Sequence, residues 1–139
     1  MDSTAMIYRG EFEKVATNGK SGVLFIHNYN YMPFVPVRSW LISGMNSERG
    51  GHAHKETNQL ITPVVGSIVC FLSDYTTTKA FGLRVGSWLV IPKMVWCTFT
   101  PARKGEEVSV LACADKPYDA DDYICDLDEY LKMCEVRNG

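Results

Sequence analysis

The sequence lacks a strong charge of either sign and has no long hydrophobic run. Of its 139 residues, 14 are basic and 16 are acidic, which gives a formal net charge of −2. This balance gives no electrostatic reason to expect nucleic acid or an anionic membrane as a partner. No apolar segment approaches the length that spans a bilayer, and the first residues do not combine a basic start with an apolar core. We therefore expect no membrane span and no signal peptide.

The cysteines lack any pattern of pairing. The five are Cys70, Cys97, Cys113, Cys125 and Cys134. Their number is odd, and no two of them have the spacing of metal ligands, so a disulfide framework is not expected and free thiols indicate a reducing cytoplasm. With 46% hydrophobic and 22% charged residues, the composition predicts one globular domain over residues 1–139.

Short apolar segments separated by turn residues predict a mostly β structure. The segments are rich in Val, Ile, Leu and aromatic residues, and Gly, Pro, Asn or Asp separates most of them. They cover residues 22–27, 37–43, 58–65, 67–73, 80–85, 87–92 and 107–114. Many short strands at close spacing favour a β sandwich or barrel.

Helical periodicity is confined to the C-terminal segment. One apolar stripe at positions i, i+3, i+4 and i+7 consists of Leu127, Tyr130, Leu131 and Cys134. Asp126 lies three residues before Glu129, as in a capping box. We expect a single amphipathic helix that packs against the outside of a sheet.

Histidine is scarce, and two of the three histidines lie within one short segment. His52 and His54 are separated by Ala53 and follow Gly50 and Gly51. In a strand, residues two apart face the same side, so the two imidazoles should project together while Ala53 faces away. The glycines leave room for a ligand near the backbone. The pair is open to three interpretations: a metal site, an acid–base site, or a solvent-exposed strand.

The segment "HAH", together with "GSWLVIPKMVWC" at residues 86–97, resembles the two motifs of the cupin superfamily. In metal-binding cupins three histidines and a glutamate hold the ion. Here Asn58 or Gln59 takes the place of the glutamate, and Cys97 takes the place of the third histidine. Because an amide brings no charge to a transition metal, we expect no metal and no other cofactor.

A closer resemblance is carried by five segments in order: "PFVPVRSW", "RGGHAHKETNQ", "VGSIVCFLSD", "VIPKMVW" and "PYDADDYICDLDEY". They are similar to the sugar-nucleotide 3,4-ketoisomerases, the WxcM-like cupins that act on dTDP-4-keto-6-deoxyglucose. The similarity runs from about residue 18 to residue 130. It implies an all-β cupin fold, a double-stranded β-helix jelly roll, which the short C-terminal helix would complete. It also implies a homodimer without metal and a sugar nucleotide lying across the histidine face.

The resemblance also implies roles for individual residues. Moving a ketone from C4 to C3 through an enediol needs a base near neutral pH and a donor for the developing oxygen charge. By resemblance, His54 is the base at carbon and His52 is its partner at the sugar oxygens. The diphosphate needs basic side chains, for which Arg38, Arg49 and Lys55 are the candidates.

Gln59, Trp40 and Cys97 complete the predicted substrate-binding set, and two of them are departures from the family. The family usually has a tyrosine pair after the "PFxxxR" arginine, where this sequence reads Trp40 and Leu41. An indole can donate a hydrogen bond but cannot accept one. The family's "VWH" reads "VWC" here, and Lys20 replaces an arginine. Two alternatives therefore stay open: a non-catalytic or regulatory binder of sugar nucleotides, and a metal-dependent cupin enzyme.

Three further features are interpreted as structural. His27 has no motif around it, and we expect a structural or surface histidine. Trp96 is expected in the core, because large aromatic side chains are usually buried. The acidic run "DADDYICDLDE" lacks the glycine and spaced ligands of a calcium loop, so it predicts a solvated turn and the start of the helix.

Overall fold

The computed structural model describes residues 9–15, 19–28, 30 and 32–138. These residues form strands β1 to β12, a short 3₁₀-helix at Ala120–Asp122 and one α-helix, α1, at Leu127–Asn138. The strands are β1 (Arg9–Glu11), β2 (Glu13–Val15), β3 (Leu24–Ile26), β4 (Arg38–Met45), β5 (Arg49–His54), β6 (Gln59–Val65), β7 (Ile68–Ser73), β8 (Thr78–Leu83), β9 (Ser87–Ile91), β10 (Trp96–Pro101), β11 (Val108–Ala114) and β12 (Tyr123–Ile124). Each of the seven apolar segments predicted from the sequence overlaps one of these strands.

Two five-stranded antiparallel sheets face each other. The first has the order β1-β9-β6-β11-β4 and the second the order β12-β5-β10-β7-β8, while β2 and β3 form a separate pair. From β4 onward the chain crosses repeatedly between the two sheets, because β4, β6, β9 and β11 belong to the first and β5, β7, β10 and β12 to the second. This alternation is the jelly-roll arrangement of a cupin, and it confirms the predicted all-β fold.

Apolar side chains from both sheets fill the space between them. In β7, Ile68, Cys70 and Leu72 point into this core, and the residues between them are partly exposed, as the two-residue period of a strand requires. β6 is buried on both faces, because Ile61 joins the core between the sheets while Leu60 packs in a second cluster on the outer face. The inward row of β6 therefore contains Gln59 and Ile61.

Helix α1 lies on the outer face of the second sheet, against β5 and β12. Asp126 caps it as predicted, because its Oδ1 accepts a hydrogen bond of 2.9 Å from the backbone N–H of Glu129. Tyr130 and Cys134 are buried against Ala53. In the part of the chain that the structure describes, no helix combines the length and the apolar character that crossing a bilayer requires.

The predicted four-residue apolar stripe of the helix is wrong at two positions. Leu127 is 49% exposed and Leu131 is 39% exposed, whereas Tyr130 is completely buried. The helix meets the sheet at its edge, where β12 is two residues long. Because β12 is so short, the sheet buries only the side of the helix that carries Tyr130 and Cys134. Leu127 and Leu131, beside this contact, stay exposed to solvent.

Candidate active site

A cavity of about 400 Å³ opens between the two sheets. Its polar lining consists mainly of Gln59 and Trp40 from the first sheet and Arg49, His52 and Tyr123 from the second. Cys97 and several aliphatic side chains form the rest of the wall. The structure thus brings one predicted catalytic residue and four predicted substrate-binding residues to a single cavity, although they come from four different strands.

Strand β5 places both histidines on the same side of the second sheet. The ring centroids of His52 and His54 are 5.1 Å apart in an edge-to-face arrangement. Ala53, between them, is completely buried on the opposite face of the strand, where it packs with Tyr130 of α1. The alternation of a β-strand therefore accounts for the spacing of the H-x-H segment.

A buried carboxylate holds the ring of His54. Nδ1 of His54 lies 2.8 Å from Oδ2 of Asp122, and the same oxygen accepts a hydrogen bond of 2.5 Å from the Thr57 hydroxyl. Oδ1 of Asp122 accepts a third bond, of 2.7 Å, from the backbone N–H of Glu56. Burial by itself would raise the pKa of Asp122, but the bonds from Thr57, His54 and Glu56 bring it below its ordinary value. Asp122 is therefore ionised at neutral pH.

The ionised carboxylate decides the tautomer of His54. A carboxylate can only accept hydrogen bonds, so the imidazole proton lies on Nδ1 and Nε2 keeps its lone pair. Nε2 is buried and has no hydrogen-bond partner among the described residues. Burial lowers the pKa of His54 more than its bond with Asp122 raises it, and Arg38 lowers it further. At neutral pH the ring is a neutral base whose second nitrogen is uncommitted.

His52 is in a different environment, because it lines the cavity. Burial is the main cause that lowers its pKa, the charge of a protonated His54 adds to this, and a backbone hydrogen bond with Gly50 acts in the opposite direction. The Tyr123 ring contacts both histidines, at 4.3 Å from the His54 ring and 5.2 Å from the His52 ring. Both imidazoles are therefore neutral, adjacent, and in contact with one phenol.

The two glycines before the histidines form a β-bulge. Cys97 pairs with His52 and Thr98 with Gly50, which leaves Gly51 as an extra residue in β5. Gly50 has a φ of 93°, and a Cβ there would lie 2.6 Å from the carbonyl oxygen of Cys97. Gly50 lines the cavity, but its lack of a side chain also allows two backbones to approach closely.

The three predicted cations occupy different places. Arg49 lines the cavity. The guanidinium of Arg38 lies over the ring of Trp40, 4.6 Å from its centroid, and its Nε–H donates to the carbonyl of Lys116 at 3.2 Å. Lys55 lies in a neighbouring depression that also contains Tyr118. Arg38 and Arg49 are thus associated with the walls of the cavity, and Lys55 lies beside it.

The residues that depart from the family pattern lie in the cavity wall or away from it. Trp40 faces the cavity, whereas Leu41 is on the outer surface and is 58% exposed. Cys97 is buried with its Sγ 3.6 Å from Sγ of Cys70, and this contact together with burial raises its pKa well above the ordinary range. Cys97 therefore contributes a neutral thiol to the wall.

The sequence interpretation missed Asp122. The acidic run was expected to be a solvated turn, but Asp122 is buried and forms the ion pair with His54, so that expectation is wrong at this residue. Tyr123, the next residue, was missed as well. A signal was available, because both residues lie in the tail segment "PYDADDYICDLDEY" that carried part of the family resemblance.

The residues interpreted as structural lie outside the cavity. The ring of His27 packs on Phe12, with centroids 4.4 Å apart. Trp96 packs on Tyr130 at 5.4 Å, beside the buried cluster under α1. Across the described residues, no group of three or more His, Cys, Asp and Glu side chains is arranged to hold a metal ion.

Comparison with known proteins decides the relationship. A family model described as "FdtA: WxcM-like, C-terminal" matches residues 7–135. The chain belongs to the WxcM-like family. No curated protein sequence matches it.

Three solved structures are similar over almost the full length of this WxcM-like chain. QdtA, a sugar 3,4-ketoisomerase from Thermoanaerobacterium thermosaccharolyticum solved with TDP, has 26% identity and a TM-score of 0.82 over 96% of this chain and 97% of its own. A histidine-to-asparagine mutant of QdtA, solved with TDP-4-keto-6-deoxyglucose, has 25% identity and a TM-score of 0.82 over 95% and 96%. A 3,4-ketoisomerase from Helicobacter canadensis has 28% identity and a TM-score of 0.81 over 94% and 98%. These matches confirm the predicted relationship to the sugar 3,4-ketoisomerases and the predicted class of enzyme.

Proposed function

We propose that this chain catalyses the 3,4-ketoisomerisation of a nucleotide-linked 4-keto-6-deoxyhexose, with dTDP as the nucleotide and without a metal. The observation that carries the proposal is the buried His54 imidazole, held by Asp122 at Nδ1 and uncommitted at Nε2, beside a second histidine that lines the cavity. The similarity to ketoisomerases solved with TDP and with TDP-4-keto-6-deoxyglucose supports the choice of substrate.

His54 is the base at carbon in this proposal. Its Nε2 removes the proton from C3, and the same nitrogen returns a proton to C4 after the enediol has formed. A neutral imidazole performs this step near pH 7 without a large shift of its pKa. Asp122 stabilises the imidazolium that forms, as a buried carboxylate does for the histidine of a serine protease triad.

His52 acts at the sugar oxygens. Its imidazole lines the cavity, and its ring centroid lies 5.1 Å from that of His54. In this proposal C3 and C4 of the sugar lie beside these two adjacent rings. A neutral imidazole N–H polarises a carbonyl by hydrogen bonding, since it donates without transferring charge. Gln59 lies across the cavity on β6, among aliphatic neighbours, and we assign its amide to a sugar hydroxyl.

The nucleotide end of the substrate is assigned to the basic residues. Arg49 lines the cavity and Arg38 lies beside it over Trp40, so a diphosphate that leaves the cavity meets two guanidinium groups, which bind phosphate through paired N–H donors. Lys55 lies in the next depression, where it can contact a phosphate as a point charge.

The proposal that no metal takes part rests on the chemistry of two side chains, Gln59 and Cys97. Gln59 brings a neutral amide to the place where metal-binding cupins carry a carboxylate, and Cys97 is engaged with Cys70. Elemental analysis of protein purified without chelator tests this point. A transition metal bound at one per chain would overturn it and favour a metal-dependent cupin enzyme.

We propose a homodimer that forms through the outer face of the first sheet. Leu41 and Leu111 are adjacent on β4 and β11, and both are exposed, as is Val64 on the outer row of β6. A second copy of the chain is the simplest partner for an apolar sheet face in an all-antiparallel fold.

Light scattering after gel filtration should give twice the chain mass. Leu111→Arg should give a monomer, and the control Val136→Arg, on the exposed side of α1, should not.

The reaction itself is tested by proton NMR of dTDP-4-keto-6-deoxyglucose in deuterium oxide with the purified protein. The enediol route should exchange hydrogen at C3 for deuterium and produce the signals of a 3-keto sugar. His54→Asn should abolish both changes. His27→Asn removes the histidine outside the cavity and should leave them intact.

Other outcomes of that experiment separate the alternatives. Line broadening of the substrate without exchange or product would indicate a non-catalytic binder of sugar nucleotides, which the replacement of the family tyrosine by Trp40 favours. In that case the protein is expected to bind TDP with the same affinity before and after His54→Asn. The reducing cytoplasm is the compartment we propose, since all five cysteines are free thiols.

A further inference from the structure

Tyr123 lies in the cavity wall, but the roles proposed above for the histidines and the basic residues give it no function. It lies on β12, directly opposite His54 in the ladder with β5, and it lines the cavity. Its ring is in contact with both imidazoles, at 4.3 Å from His54 and 5.2 Å from His52. Tyr123 therefore brings a phenol to the cavity wall, beside both histidines.

The isomerisation requires two protons to move, both of them from position 3 of the sugar to position 4. One proton moves from C3 to C4, and a second moves from the C3 hydroxyl to the C4 oxygen. A single imidazole can carry the carbon proton, but the oxygen proton needs a group that both donates and accepts. His52 is poorly suited to this second transfer, since burial lowers its pKa and a neutral imidazole is a weaker acid than a phenol.

We propose that the Tyr123 hydroxyl carries the proton between the two sugar oxygens, which makes Tyr123 a third catalytic residue beside His54 and His52. This inference rests on the proposed function. In the family pattern a tyrosine follows the arginine of "PFxxxR", and this chain has Trp40 there. Tyr123 supplies from β12 a phenol that Trp40 cannot replace, because an indole N–H has no lone pair with which to take the proton back.

The transfers balance without any other reactant. His54 Nε2 takes the proton from C3, the C–H electrons form the C3=C4 double bond, and the C4 oxygen takes the Tyr123 proton. An enediol, an imidazolium and a phenolate result. The phenolate then removes the proton from the C3 hydroxyl, a C3 carbonyl forms, and C4 takes the proton from His54. Both residues return to their starting states.

Tyr118 provides a matched control. It packs on Tyr123 with ring centroids 5.9 Å apart and lies under the guanidinium of Arg38, but it does not line the cavity. It is 68% exposed. Removing its hydroxyl therefore tests whether any phenol in this aromatic cluster supports activity, or whether Tyr123 does so specifically.

The test compares Tyr123→Phe with Tyr118→Phe in the full-length protein. Phenylalanine keeps the ring contacts with both histidines, so the fold should be unchanged and the affinity for TDP should change by less than about threefold. Loss of a proton-transfer group should lower kcat by about 10²-fold to 10⁴-fold. Deuterium exchange at C3 should fall together with product formation in Tyr123→Phe, because the enediol cannot form without a donor at the C4 oxygen. Tyr118→Phe should retain turnover within about threefold.

Three results would overturn the inference. Turnover by Tyr123→Phe within about threefold of the unmodified protein would exclude the phenol as a proton carrier. An equal loss in Tyr118→Phe, or a loss of TDP affinity that accounts for the loss of activity, would assign the effect to structure. If the unmodified protein does not convert the substrate, the proposed function is wrong, and the role of Tyr123 is wrong with it. The assay of the unmodified protein therefore distinguishes this failure from a failure of the inference about Tyr123 alone.

Discussion

Replacing Asp122 by Asn changes one atom of the site, and the structure predicts its effect in some detail. The carboxylate accepts three hydrogen bonds, from His54 Nδ1, the Thr57 hydroxyl and the Glu56 amide. An asparagine oxygen placed toward Glu56 preserves one of them. Its NH₂ group then faces His54 and donates to Nδ1, which forces the imidazole proton to Nε2. The lone pair that we assign to proton removal from C3 would be lost.

The expected magnitudes follow from that change. We expect kcat to fall by about 10²-fold to 10⁴-fold, since the base is present but in the wrong tautomer. Stability should fall by about 1–3 kcal/mol, because hydrogen bonds to a buried charged group are lost. The carboxylate raises the pKa of His54 in the unmodified protein. Without it the pKa falls further, so the acid limb of kcat/KM should move to lower pH even though the rate is reduced.

The assay is substrate turnover followed by NMR across a pH series, with TDP affinity and urea unfolding measured on the same samples. Asp121→Asn is the control, because Asp121 is exposed and is the neighbouring acidic residue. It should leave rate, pH profile and stability unchanged. Turnover by Asp122→Asn within about threefold of the unmodified protein, at unchanged TDP affinity, would refute the argument that this carboxylate controls the His54 tautomer.

Three further predictions concern stability and can be checked by urea unfolding. Tyr130→Phe should cost about 1–2 kcal/mol, because the Tyr130 hydroxyl donates to the buried carbonyl of Met94 at 2.8 Å. Gly50→Ala should cost about 3 kcal/mol or more and Gly51→Ala about 1 kcal/mol. Both glycines have positive φ, but only at Gly50 would a Cβ meet the backbone of Cys97. The free energy of unfolding should decrease as pH falls below about 6.5. Burial lowers the pKa of all three histidines in the folded protein, so the unfolded chain takes up protons at a higher pH than the folded chain does. Equal stability at pH 7 and pH 5 would contradict this.

Local pattern was sufficient for much of the fold. The seven apolar segments each overlap a strand, and their number and spacing predicted a sandwich or barrel. The resemblance to the cupin family narrowed this prediction to a jelly roll. β10 was not among the predicted segments, because Thr98 and Thr100 interrupt its apolar character on the half-buried face. β12 was missed because a strand of two residues gives no periodic signal.

The candidate site was predicted in part. His52, Arg49, Gln59, Trp40 and Cys97 all reach one cavity, as expected for residues that share a ligand. The assignment of roles among them stays a prediction. The position of Lys55 in a separate depression could not be derived, because it depends on where the chain turns after β5.

The sequence by itself determined that His52 and His54 share a face, since the two-residue period of a strand is a local property of the backbone. It also determined the broad fold, because the hydrophobic pattern of each segment fixes which face is buried. Tertiary structure alone decided that Asp122, 68 residues from His54, would be its partner. The same pairing of β12 with β5 brings Tyr123 against both imidazoles. No local pattern encodes contacts of this kind, because they arise only when distant segments pair at the edge of a sheet.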